Sequence, residues 1–504
     1  MERGSGILLH ISSLPSDYGC GSFGEGAKTA IDRMKECGFR YWQVLPFVIP
    51  DIANSPYKSV SAFAGNPLFI DLDILFENGL ITAAERDGER QSQPYSAEFE
   101  RINVSRLPLL KTAAERALEK HEIAESVAEF TQTHPQIAKF CKYIATKEAN
   151  GNVIWTEWTT SEYSQKSERE WQWIEYEFAR QWAEIKAYAH KNGIKVIGDI
   201  PIYVDTDSAD VWANREQFLV DENGEPSAVA GCPPDYFSED GQLWGNPIYD
   251  WKKMEADGFK WWEERLRGVF EWFDAVRIDH FRGFSTYWSI PAKAASAKEG
   301  KWEIGPGKPF ADMVNRVARD CGCEVIAEDL GDISADVVEL LDYSGLPGMR
   351  VIQFGFMGDY ESTHQPHTYV GNCVAYSGTH DNNTLLGYLY ELEPNAKRIF
   401  LDYCGYSGDD LGEGVRAVLR ELMASVADVV IMPVQDLLGY GKDCRMNTPG
   451  VSEGMWLFRV TDEQLSAIPA SWLRRLNHIY RREQFGEVGK SSETDVETDG
   501  KVDE

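Results

Sequence analysis

Positive charge is scarce in this 504-residue chain. Its 50 lysines and arginines stand against 81 aspartates and glutamates, a formal net charge of −31. Nucleic acids and anionic membrane surfaces are held by basic patches, so neither is expected as a partner. No apolar run reaches the ~20 residues that a membrane span needs. No charged-then-apolar leader precedes the first strand-like stretch after Met1-Glu2-Arg3, and a cytoplasmic location is expected. Cysteine is sparse as well. The nine are odd in number and scattered, a pattern of reduced thiols rather than of a disulfide framework. Cys321-Gly322-Cys323 has no second pair or histidine cluster to complete a zinc site, and no dense Asp/Asn run has calcium-loop spacing. No glycine-rich fingerprint opens a helix after a strand, since Gly4-Ser5-Gly6 precedes a strand instead; this argues against nucleotide and nicotinamide enzymes. Neither a metal nor a cofactor is expected.

What is present is a large apolar fraction, 43%, and an aromatic share of 12% with 16 tryptophans. Such a composition suits a big core and also suits stacking on sugar rings. Eight short apolar runs read as strands: 6–11, 41–45, 195–200, 274–278, 324–327, 349–354, 373–377 and 429–433. Helical patterns follow most of them, as at 27–37, 261–271 and 309–321. Strand and helix in alternation predict a parallel sheet, and eight repeats predict a closed (β/α)8 TIM barrel of the α/β class over residues 1–486. The second and third runs lie too far apart for a loop. Residues 85–189, rich in Glu, Lys, Ala, Arg and Gln with helical spacing, are therefore expected to form a helical insertion after the second strand. The segment 487–504 is acidic, bears Ser and Thr, and lacks aromatics, as a disordered tail would.

Three carboxylates stand at the ends of such runs. Asp279 closes Ala275-Val276-Arg277-Ile278-Asp279, Glu328 closes Val325-Ile326-Ala327-Glu328, and Asp381 follows Ser377-Gly378-Thr379-His380. In a barrel these ends converge on the active face. Strand side chains alternate, so Arg277 and Asp279 share a face, and the guanidinium favours an ionised Asp279, as a nucleophile requires. A structural Arg–Asp pair at the barrel mouth would look the same. A general acid must keep its proton near neutral pH, which apolar burial or the charge of Asp279 would arrange at Glu328; a solvated Glu328-Asp329 loop is the alternative. The row His380-Asp381-Asn382 could grip sugar hydroxyls, or could serve only as a hydrogen-bonded turn. Three acids in this order point to glycosyl transfer.

The segments Val276-Arg277-Ile278-Asp279-His280, Ala327-Glu328-Asp329-Leu330-Gly331 and Gly378-Thr379-His380-Asp381-Asn382 resemble the catalytic segments of the α-amylase superfamily. The chain as a whole resembles one branch of it, the 4-α-glucanotransferases or amylomaltases, from Leu9-His10-Ile11-Ser12-Ser13 to Arg445-Met446-Asn447-Thr448-Pro449-Gly450. Specific matches include Ser55-Pro56-Tyr57, Gly198-Asp199-Ile200-Pro201, Gly231-Cys232-Pro233-Pro234-Asp235 and Gly241-Gln242-Leu243-Trp244-Gly245-Asn246-Pro247. The resemblance implies Asp279 as nucleophile, Glu328 as acid/base and Asp381 as transition-state stabiliser, with Arg277, His280 and His380 as hydrogen-bond donors beside them and Asn382 among the substrate contacts. It implies that Tyr57 stacks on a glucose ring and that Asn447 lines the groove. Asp235 and Trp244 would belong to a lid on the acceptor side, and Asp199 would support the site. Maltooligosaccharides and related α-glucans are the implied substrates. Residues 51–54 depart from the family pattern, which leaves a secondary glucan contact there unsupported.

The same carboxylates could hydrolyse starch. Transfer needs an acceptor held better than water, and the 231–247 segment, with Tyr236, Phe237, Leu243 and Trp244, is expected to provide such a lid. A glycan-binding protein on a degenerate barrel would have lost one of the three acids, and none is lost. Nothing in the sequence bears on the number of subunits.

Overall fold

The computed structural model describes residues 1–50, 54–234, 239–331, 333–358, 362–451 and 453–483. The expected tail at 487–504 lies outside the described residues. Twelve strands occur among the described residues: β1 (Gly4–Leu8), β2 (Tyr41–Gln43), β3 (Lys195–Ile200), β4 (Ala228–Cys232), β5 (Gln242–Pro247), β6 (Ala275–Ile278), β7 (Thr286–Pro291), β8 (Lys301–Ile304), β9 (Glu324–Ala327), β10 (Gly348–Val351), β11 (Cys373–Tyr376) and β12 (Val429–Pro433). Eight of them form one parallel sheet in the order β10-β11-β12-β1-β2-β3-β6-β9. This is the chain order carried around a barrel, and all eight strands coincide with the runs read from sequence.

The sheet closes between β9 and β10 in a different manner. The Ala327 N–H donates to the Pro347 carbonyl at 3.0 Å. Beside it the Asp329 carboxylate accepts the Met349 N–H at 2.6 Å and the Arg350 guanidinium at 2.8 Å. A side chain completes the seam where the other seams have backbone ladders.

Between β2 and β3 lie the helices Phe99–Leu118, His121–Thr133, Pro135–Ala149 and Gln165–Lys191. The last is capped by Ser164, whose hydroxyl accepts the Ser167 N–H, and it ends at Asn192 before a left-handed Gly193. Its buried residues, among them Trp171, Ile174, Phe178, Trp182, Ile185 and Ala189, recur at three- and four-residue spacing. That stripe packs on the outside of the barrel: Trp182 meets Phe47 at 4.7 Å between ring centroids and Trp42 at 6.1 Å. Truncating a buried tryptophan such as Trp182 to alanine typically costs about 3–5 kcal/mol. This helix thus belongs to the barrel's outer layer as much as to an insertion.

A second sheet, with order β5-β4-β7-β8, is antiparallel and springs from the segments after β3 and β6. The sequence suggested mainly helical inserted structure and marked no strands within it. The pattern hid these strands because Gly231 interrupts β4 while Trp302 and Ile304 of β8 are exposed, so no clean alternation of apolar and polar residues results. All nine cysteines are free thiols. Among the described residues no helix is long and apolar enough to cross a membrane.

Candidate active site

Beyond the C-terminal ends of the barrel strands lies a groove of about 440 Å³, walled by Tyr57, Trp244, Asp279, His380, Asp381, Asn447 and Trp456 among others. Asp279 follows β6 and is 28% exposed, and Arg277 Nη2 donates to its Oδ1 at 2.8 Å. Through Nη1, Arg277 also reaches both oxygens of Asp199 on β3, each at 2.9 Å. Strand alternation places both acids on the inner face with Arg277 between them. Asp199 is fully buried and accepts the Tyr57 hydroxyl at 2.6 Å, so it holds Arg277 and Tyr57 in place from beneath the groove.

Glu328 follows β9, the neighbour of β6, and register pairs Ile278 with Ala327. Asp279 and Glu328 therefore occupy matching steps on adjacent strands. Glu328 is 8% exposed. Burial, reinforced by the charge of Asp279 and opposed by Arg277, pushes its pKa up to about 7. Its Oε2 accepts the His280 N–H at 2.6 Å and its Oε1 the Leu330 N–H at 2.8 Å. His280 makes its bond from the left-handed region, at φ 53°. Burial lowers its imidazole pKa to about 4, so it is neutral at physiological pH. Its ring meets Trp244 edge-on at 5.0 Å.

Asp381 lies on the loop after β11 with 43% of its side chain exposed. Its recessed position would raise its pKa, but His380, Nε2 at 3.3 Å, and Asn447, donating to Oδ1 at 2.6 Å, bring it down to about 2. His380 is stacked on Tyr57 at 4.8 Å and 16° between ring planes.

Most of the residues named from sequence are thus brought together. Asn382 follows Asp381, and its Oδ1 accepts both the backbone N–H and the hydroxyl of Thr379, at 2.8 and 2.9 Å, bonds that close the turn. Asp235, with Tyr236 and Phe237, lies outside the described residues, as do residues 51–53. Trp244 sits on β5, its Nε1 donating to Gln242 Oε1 at 3.0 Å, and walls the groove. Two residues of the site escaped the sequence reading. Trp456 walls the groove from a left-handed backbone, φ 68°, with its ring 5.8 Å from His380 and 5.9 Å from Tyr57. Arg445 donates to the carbonyl of Asp381 and, at 2.6 Å, to that of Asn447. Arg445 stands in the quoted 445–450 segment, whereas nothing around Trp456 marks it.

A (β/α)8 barrel with three acids gathered at its strand ends, two of them on adjacent strands in unlike surroundings, defines an enzyme of carboxylate chemistry. A family model described as 4-alpha-glucanotransferase matches residues 9–465. A 4-alpha-glucanotransferase of Streptococcus pneumoniae is 42% identical over 498 residues, 95% of this chain and 98% of that protein. One from Thermus thermophilus is 40% identical over 96% of this chain and 99% of its own length. Among solved structures, an amylomaltase from Streptococcus agalactiae in complex with acarbose superposes with a TM-score of 0.91 at 35% identity, covering 96% of this chain and all of that one. The chain belongs to the 4-α-glucanotransferase family.

Proposed function

We propose that the protein moves 1,4-α-glucan segments between maltooligosaccharides by a retaining double displacement. Asp279 attacks the anomeric carbon while Glu328 gives its proton to the departing 4-oxygen, forming a β-linked glucosyl-enzyme. Glu328, now a carboxylate, takes the proton from the 4-hydroxyl of the incoming chain, whose oxygen displaces Asp279 and restores the α-linkage. Positive charge at the sugar ring in both transition states is met by Asp381, which is ionised over the whole working range. His280, neutral, and His380 offer N–H groups to ring hydroxyls, and Trp244 covers the acceptor side.

The observation that carries this reading is the pairing of Asp279 and Glu328 across adjacent strands. The one takes a hydrogen bond from the Arg277 guanidinium at the groove wall; the other is buried, with its pKa pushed up to about 7. Retention calls for carboxyls about 5–5.5 Å apart. Incubation with pure maltotriose is the test. Glucose and longer oligosaccharides should appear while the number of reducing ends stays nearly constant, because transfer conserves them and hydrolysis creates one per cleavage. Reducing ends rising in step with cleavage would make the protein a hydrolase.

A further inference from the structure

The loop 378–384, which carries His380 and Asp381, leaves β11 after Ser377 and runs into the helix Leu385–Glu391. Two side chains from the neighbouring strand ends meet both of its feet. Asp436 stands on the short helix Val434–Leu438, directly after β12. Its Oδ2 accepts the Ser377 hydroxyl at 2.6 Å and its Oδ1 the Leu385 N–H at 2.6 Å. Gln353, in the turn Ile352–Phe356 after β10, donates through Nε2 to the carbonyls of Ser377 at 2.9 Å and Asn383 at 3.0 Å. Since β11 lies between β10 and β12, the loop is gripped from both sides. Gly378 leaves the amide room, because a Cβ there would stand 2.8 Å from Gln353 Nε2.

The crest of the loop is held by the stretch that follows Asp436. The Asn447 N–H donates to the His380 carbonyl at 3.1 Å, Asn447 Nδ2 donates to Asp381 Oδ1 at 2.6 Å, and Arg445 donates to the Asp381 carbonyl. Gln435 Nε2, donating to the Cys444 carbonyl at 3.2 Å, ties the beginning of that stretch to its end. Asp436 and Gln353 are each only 2% exposed, too deep to touch a sugar. Well-packed apolar groups fill a core as stably as buried polar ones do. Directional bonds to both feet do something packing cannot: they fix one arrangement of the chain between them.

We propose that Asp436 and Gln353 are positioning residues for the reaction: by fastening both feet of the loop they hold the Asp381 carboxylate where the sugar ring gains positive charge. The proposal rests on the stabilising role given above to Asp381. A carboxylate on a loop serves a transition state only when held to about 0.5 Å, and these bonds supply that restraint from beneath. Either residue alone still grips both feet, so the two back each other up.

1-Deoxynojirimycin, a glucose mimic with a basic ring nitrogen, reads Asp381 without turnover. Its affinity, measured by calorimetric titration, should fall about tenfold or more in Asp381→Asn. Asp436→Leu and Gln353→Leu should each weaken it about threefold and lower kcat alike, with KM for maltotriose nearly unchanged. The double variant should lose more than the product of the two. Asp436→Asn, whose amide can accept from Leu385 and donate to Ser377, should stay near the wild type. Should Asp436→Leu fail to fold, Ser377→Ala with Gln353→Leu frees one foot entirely and should show the same excess loss. The loss of kcat should persist with α-glucosyl fluoride, which relieves Glu328 of its proton but Asp381 of nothing. Unchanged affinity in the double variants, beside a loss in Asp381→Asn, would overturn the proposal and leave the mechanism standing. Unchanged affinity in Asp381→Asn would remove the role of Asp381 and the proposal with it. Activity restored by the fluoride would place the effect at Glu328 and overturn the proposal too.

Discussion

The backbone N–H of His280 donates to Glu328 Oε2 at 2.6 Å from a residue held at φ 53°. That bond favours the carboxylate, so it moderates the upward push of burial on Glu328. Histidine tolerates the left-handed region better than most residues, glycine takes it freely, and a β-branched side chain resists it. His280→Gly should therefore keep the amide in place, and His280→Val should withdraw it. In the valine variant the pKa of Glu328 rises, and the alkaline limb of kcat/KM should move to higher pH, with the glycine variant unmoved. Identical limbs in the two variants would disconnect this amide from Glu328.

Donor cleavage needs the acid form of Glu328, whose pKa lies at about 7. With maltooligosaccharides, kcat/KM should hold steady on the acid side and fall as pH rises through that value. Asp381, held near 2, stays charged throughout and adds no limb there. Its depressed pKa contributes stability that is present above the ordinary carboxylate range and is lost progressively as pH falls from that range through about 2. With an α-glucosyl fluoride donor the leaving group needs little protonation, and the alkaline limb of enzyme glucosylation should vanish. A limb that persists with the fluoride would belong to another group.

Stereochemistry separates the two acids. Glu328→Ala should still form the β-linked intermediate from α-glucosyl fluoride, and azide should then capture it as the α-glucosyl azide. In Asp279→Gly azide takes the vacated space, attacks directly and yields the β-glucosyl azide. Each variant should lose about 10²–10⁴-fold or more on ordinary glucans. Anomers found the other way round would exchange the roles.

Trp244 brings an apolar ring to the groove wall, edge-on to His280. Trp244→Ala removes packing on the order of 1–3 kcal/mol, enough to shift the partition between sugar acceptor and water about tenfold. The ratio of transfer to hydrolysis, read from product lengths against reducing ends, should fall accordingly. A ratio equal to the wild type's would remove Trp244 from acceptor binding.

The barrel strands were legible because burial on both faces leaves unbroken Val- and Ile-rich runs, as in β6, β9 and β12. Boundaries were less so: Leu9 and Ile11 extend the apolar run of β1, but the chain has already left the ladder for a tight turn at Ile11–Ser13. Asp279 and Glu328 could be placed because each directly follows a strand. The role of Asn382 stays double, since an amide after a glycine turn fits a ligand contact and a turn bond equally well. Glu175 and Glu177 sit among the aromatic residues of a helix and look solvated in sequence, yet both are buried, a result of tertiary packing that no local pattern encodes.

Asp329 gives the barrel an uneven circumference. Seven neighbouring strand pairs are joined by ladders, while the eighth meeting, between β9 and β10, is held by the single backbone bond from Ala327 to Pro347 and by the Asp329 carboxylate, and Gly348 leaves that carboxylate room, since a Cβ there would stand 2.7 Å from Asp329 Oδ2. The adjoining residue is Glu328. A cylinder fastened in this way opens first at the fastening, so amide exchange at Ala327 and Met349 should outpace exchange in the ladders, and heat should misplace the proton donor before it melts the core. The enzyme's thermal ceiling as a catalyst should then be set at this seam rather than by the strength of the whole cloth.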